Sequence, residues 1–112
     1  MFDKDLNTMN NIIDDNKIYN GENKTKTILI VDDDVINRKV LGKIFSSDYA
    51  VEEAENGRVA LTKILCNKNR FCAILLDVIM PEMDGIEVLK RLKGWGLLDK
   101  IPVFLITAER VE

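Results

Sequence analysis

Three runs in this chain are apolar without alternation: TILIV at 27–31, FCAILL at 71–76 and IPVFLIT at 101–107. A strand with one wet face alternates, so runs like these predict strands buried on both faces. Between them the period changes. The spacing predicts a helix from about 35 to 46, with Ile36, Val40, Leu41, Ile44 and Phe45 inward and Asp34 as its cap. YAVEEA at 49–54 half-alternates, which suits a strand near a sheet edge. Asn56 is placed to cap a second helix over 57–67, with Ala60, Leu61, Ile64 and Leu65 inward. Asp84 and Glu87 form a D-x-x-E capping pair for a third helix, which buries Ile86, Leu89 and Leu92 with Val88 beside them. Lys90, Arg91 and Lys93 suit the negative end of that helix, and Gly94 ends it. This alternation predicts an α/β fold, a doubly wound parallel sheet of four strands and three helices with right-handed crossovers. Pro102 is tolerated because it stands at the start of its strand.

In such sheets ligands gather beyond the carboxyl ends of the strands. The first strand ends in Asp32-Asp33-Asp34, the third in Asp77 and the fourth in Thr107-Ala108. Any one of these acids alone reads as a cap or turn former, and Asp34 reads as a cap. Their convergence on one rim points to a site. Crowded carboxylates raise one another's pKa, and a divalent cation relieves the repulsion. An all-oxygen donor set suits a hard ion such as Mg²⁺. One carboxylate of such a cluster can act as a nucleophile toward a phosphoryl group. Asp77, alone on its strand, is expected to be better exposed for that than the triplet. Thr107, a strand away, is placed to hydrogen-bond a phosphoryl oxygen.

Composition narrows the chemistry. Histidine is absent from all 112 residues, which excludes a Ser-His-Asp triad, a histidine metal site and a phosphohistidine carrier. Net charge is −3 and no basic cluster interleaves with aromatics, so nothing points to direct nucleic-acid binding. No apolar stretch approaches the roughly 20 residues of a membrane span. Residues 1–17 lack the apolar core of a signal peptide, so a cytoplasmic protein without membrane contact is expected. Cys66 and Cys72 are expected to be buried reduced thiols. Residues 1–25 read as an N-terminal extension, a flexible tail or a short amphipathic helix with Phe2, Leu6, Met9 and Ile13 on one face. NGENKTK at 20–26 reads as its linker to a domain spanning 26–112.

The motifs resemble those of the receiver domains of two-component response regulators. ILIVDDD at 28–34 resembles the first-strand acidic pair, and ILLDVIMPEMDGIEVLKRLK at 74–93 the phosphorylation-site segment. IPVFLITAE at 101–109 resembles the fourth strand with its switch Thr-Ala. The likeness runs from about Lys26 to Glu109, in a flavodoxin-like fold. It implies that Asp77 is the phosphoacceptor and that Asp32 and Asp33 are the acidic pair, Asp33 a direct Mg²⁺ ligand and Asp32 acting partly through water. It further implies that the Ile79 main-chain carbonyl completes the metal site, that Thr107 is the switch hydroxyl and that Ala108 leaves the phosphoryl group room. The phosphoryl donor would be a sensor histidine kinase or a phosphotransfer protein. The protein would not be an enzyme beyond its own phosphorylation and dephosphorylation at Asp77.

The family also has a fourth helix, a fifth strand carrying a Lys and a fifth helix, which have no counterpart up to Glu112. The fourth strand is therefore expected at a sheet edge, with apolar surface beside the first helix uncovered. Three arrangements would meet that exposure: a longer parent protein, pairing with another copy as a homodimer or domain-swapped dimer, or cover by the Phe2-Leu6-Met9-Ile13 face. Two other functions stay open from sequence. One is a phosphorylation-inert interaction module, given the missing Lys. The other is a phosphatase resembling the haloacid dehalogenase group, which Asp32-x-Asp34 imitates although Ile36 fills a position that group gives to Thr or Val.

Overall fold

The computed structural model describes residues 26–107. The expected amphipathic face at Phe2–Ile13 and the Ala108 position lie outside the described residues. Seven elements alternate: β1 (Thr27–Val31), α1 (Val35–Phe45), β2 (Ala50–Ala54), α2 (Gly57–Cys66), β3 (Phe71–Asp77), α3 (Gly85–Gly94) and β4 (Val103–Ile106). The four strands form one parallel sheet in the order β2-β1-β3-β4. β1 and β3, the continuous aliphatic runs, are central, and β2 and β4 are the edges. Pro102 precedes β4 and uses only its carbonyl, which accepts from the Ile74 N–H at 2.9 Å.

All three helix starts form as the sequence predicts. Asp34 accepts from the Ile36 N–H, Asn56 from Val59 and Asp84 from Glu87, at 2.8–2.9 Å. Each satisfies one of the donors that a helix leaves without an intrahelical partner. The last turn of α3 carries Arg91 and Lys93, as the helix dipole favours.

The two faces of the sheet are covered unequally. Leu29, Val31, Ile74 and Leu76 pack against Ala60, Ile64, Val88 and Leu92 of α2 and α3 in one large core. On the other face, among the described residues, Ile28, Ile30 and Leu75 meet the partly buried Leu41 and Phe45 of α1, with Tyr49, Val51, Cys72, Ala73 and Ile106 around them.

Several side chains depart from expectation. In α1 the inward side is made by Leu41, Gly42 and Phe45, while Ile36, Val40 and Ile44 are 68%, 53% and 60% exposed. The apolar positions of α1 span more of its circumference than one sheet face can cover, so three of the five expected inward face outward. Leu65 and Ile86 are likewise exposed, each at the outer margin of its helix. Neither cysteine is buried: Cys66 is exposed at the end of α2 and Cys72 is partly covered, both as free thiols.

Candidate functional site

Because the strands are parallel, their carboxyl ends share a rim. The register pairs Val31 with Leu76, so Asp32 and Asp77 are neighbours just past that pair. On the far side Asp77 pairs with Ile106, which sets Thr107 one residue beyond on the same rim. One carboxylate oxygen from each of Asp32, Asp33 and Asp77 lies within 4.8 Å of the others. Asp32 and Asp77 are 4% and 6% exposed, and Asp33 is open to solvent. Asp77 is thus less exposed than Asp33 and Asp34, the reverse of the sequence expectation. The reason is the segment 78–84, which turns back beside it and brings α3 close.

The backbone of that segment shapes the floor. The Ile79 N–H donates to Asp77 Oδ1 at 3.1 Å, and the Gly85 N–H donates to the Val78 carbonyl at 2.9 Å. A side chain at Gly85 would press on the Asp77 carbonyl and come within 2.8 Å of the Val78 Cα. Only glycine lets the start of α3 sit this close to the strand end. Glu82, in the same segment, holds a φ of 67°, a left-handed conformation that is uncommon outside glycine.

On the β1 side, Asp32 Oδ1 accepts from the Asp34 N–H at 2.9 Å and its own N–H donates to the Ala54 carbonyl at 3.1 Å. Arg38 adds a clamp: Nη1 donates to the Asp32 carbonyl at 2.6 Å and Nε to Glu53 at 3.0 Å. Sequence reading passed over Arg38, since an arginine on a helix reads as solvated and its carboxylate partner is fifteen residues away. An open recess of about 380 Å³ adjoins the acids, lined by Asp33, Val35, Arg38, Glu55, Asn56, Pro81 and Glu82.

Burial pushes the Asp77 carboxyl above the ordinary carboxylate range, and the charges of Asp32 and Asp33 push the same way against the Ile79 N–H. A group with oxygen donors at this spacing, no nitrogen or sulfur ligand and mutual repulsion fits a hard divalent cation.

The model of the response regulator receiver domain matches residues 28–112. The chain belongs to the receiver domain family. Among relatives, the response regulator MprA of Mycolicibacterium vanbaalenii is 43% identical over 82 residues, covering 72% of this chain and 34% of that protein. A protein named histidine kinase P4 from Formosa agariphila is 40% identical over 87 residues, 78% of this chain and 6% of its own length. The receiver match therefore spans about a third of the MprA relatives and a small part of the kinase. Solved receiver folds agree. Chemotaxis protein CheY4 of Vibrio cholerae superposes with a TM-score of 0.67 at 33% identity, over 78% of this chain and 72% of that one. A chain of the CheX–CheY–BeF3–Mg²⁺ complex of Borrelia burgdorferi gives 0.69 at 31% identity, over 78% and 65%. The flavodoxin-like receiver fold expected from the motifs is the fold of this chain.

Proposed function

We propose that this receiver domain accepts a phosphoryl group on Asp77 in a two-component signalling pathway. The observation that carries the reading is the convergence of Asp32, Asp33 and Asp77 within 4.8 Å at the carboxyl rim of the sheet. Asp33 would hold Mg²⁺ directly, Asp32 partly through water, and Asp77 and the Ile79 main-chain carbonyl would complete the protein's share. When bound, the cation supplies positive charge that neutralises phosphoryl oxygens and favours ionised Asp77.

The chain's own groups do the rest. An ionised Asp77 oxygen attacks phosphorus as the phosphorus–nitrogen bond of a phosphoimidazole breaks, and the imidazole nitrogen leaves with the bonding pair. The donor would be the phosphohistidine of a sensor histidine kinase or phosphotransfer protein; a kinase among the relatives supports that source. The Ile79 N–H holds one Asp77 oxygen at 3.1 Å, which leaves the other to react. Thr107 would donate its hydroxyl to a phosphoryl oxygen, and Ala108 would leave that group room.

The test is labelling with acetyl phosphate and binding of beryllofluoride, each with and without Mg²⁺. Both are expected to require Mg²⁺ and to vanish in Asp77→Asn. Labelling that survives this change overturns the assignment of Asp77. A folded protein that takes up Mg²⁺ but never label would instead be an inert interaction module.

A further inference from the structure

α2 and α3 lie side by side over one face of the sheet, and an open groove of about 380 Å³ runs between their outer flanks. Leu61, Thr62 and Leu65 follow Arg58 by three, four and seven residues, so the four share one flank of α2 and form one wall. Arg91 and the C-cap residue Trp95, one turn apart, form the wall on α3, and Met83 lines the seam. Gly57 sets how closely the helices meet. A Cβ there would come within 2.7 Å of Val88 and 3.0 Å of Met83.

The groove is apolar at its base and basic at its margins. Leu65 and Trp95 are 44% and 41% exposed beside the buried Leu61. No acid lines it, although the chain as a whole carries a net charge of −3. Arg58 is exposed and has no ion pair among the described residues. Arg91 gives its Nε to Glu87 at 3.0 Å, which leaves its two terminal nitrogens outside that bond. Tryptophan, methionine and arginine are the side chains that concentrate at the centres of protein interfaces, because each covers much area and arginine pairs with carboxylates in a fixed geometry.

We propose that the groove between α2 and α3 is a docking surface for an acidic amphipathic helix of a partner protein. The apolar face of that helix rests on Leu61, Leu65 and Trp95, and carboxylates along its two margins meet Arg58 and Arg91. The wall from Arg58 to Leu65 is about 10 Å long, which matches two turns of a docked helix. Other occupants fit less well. A nucleic-acid strand needs a row of cations along its phosphates, and this lining has two. A second copy of the chain has no acidic helix to offer among the described residues: α1 and α2 contain no acid, and α3 contains Glu87 alone.

Trp95 is the chain's one tryptophan, so its fluorescence reports on the groove directly. The full chain is titrated with a synthetic helical peptide of Glu, Ala and Leu that carries its leucines on one face, and with a twin that has Lys in place of every Glu. The acidic peptide is expected to shift Trp95 emission to shorter wavelength and to saturate, and the basic twin to do neither. Arg58→Glu is expected to weaken the acidic peptide about tenfold and Arg91→Gln about threefold. Arg58 stands in the first turn of α2, where the helix dipole favours an acid, so Arg58→Glu leaves the fold intact and its melting temperature unchanged or raised. Lys43→Glu on α1 makes the same change in net charge away from the groove and is expected to alter affinity by less than about twofold. Emission that does not move with the acidic peptide overturns the proposal, as does equal binding of the basic twin or a loss in Lys43→Glu equal to that in Arg58→Glu. A shift that appears without peptide as protein concentration rises overturns it too, in favour of a second copy.

Discussion

Asp77 holds its proton more tightly in the folded protein than an open carboxyl does, because burial and two neighbouring acids disfavour its charge. The sign of the consequence follows by linkage. As pH rises from about 3.9, the unfolded value, through the higher folded one, ionising Asp77 removes stability, and the loss is complete above that window. Asp77→Asn is therefore expected to raise the melting temperature at neutral pH in the absence of divalent ions and to flatten its fall across the acid range. Mg²⁺ should stabilise the parent chain and do little for the variant. Scanning calorimetry across pH, with Mg²⁺ and with chelator, checks both halves; a variant less stable than the parent at pH 7 contradicts the account. The presence of these acids was legible because a dry run such as AILLD has no packing reason to end on a carboxylate. Their relative exposure was not, since it depends on how 78–84 folds back and on Gly85 admitting α3 against the strand end.

At the level of elements, α1 connects the acid-bearing rim to the β2 edge. Glu53 receives Lys39 and Arg38, and it is held below the usual carboxylate range, first by the Lys39 hydrogen bond and then by Arg38 against the opposing effect of burial. Its contribution is present at neutral pH and lost as pH falls through that depressed value. The two cations are not equivalent. Among the described residues the exposed Lys39 reaches only Glu53, whereas the largely buried Arg38 also grips the Asp32 carbonyl at 2.6 Å. Arg38→Ala is expected to cost about 1.5–3 kcal/mol, the range for hydrogen bonds to charged groups, and to weaken Mg²⁺ uptake by loosening Asp32. Lys39→Ala should change stability by under about 1 kcal/mol and leave cation binding intact. Urea unfolding and titration calorimetry separate the two; equal effects would remove Arg38 from any positioning role. The caps of all three helices could be read from single residues, because a cap is local. The orientation of α1 could not, since its apolar positions leave two flanks equally eligible and the ties to Glu53 come from a strand that follows it in sequence.

Across the whole molecule, burial falls from the centre of the sheet toward β4, and one ladder displays the gradient. Leu76 of β3 and Leu105 of β4 are register partners, yet Leu76 is fully buried and Leu105 is 45% exposed. Leu76 lies between α2, α3 and two flanking strands, while Leu105 belongs to a strand that, among the described residues, has a neighbour on one side only. Hydropathy alone makes FCAILL and IPVFLIT equivalent, so the order of strands, and with it the dry and wet members of the pair, is a property of the assembled sheet. The energetic difference should be large for chemically identical substitutions. Leu76→Ala removes packing on every side and is expected to cost about 3–5 kcal/mol. Leu105→Ala removes side-chain atoms already half in water and should cost about 1 kcal/mol or less. Both are measurable from urea midpoints at constant slope. Similar losses for the two would mean that in solution β4 is covered to the same degree as β3.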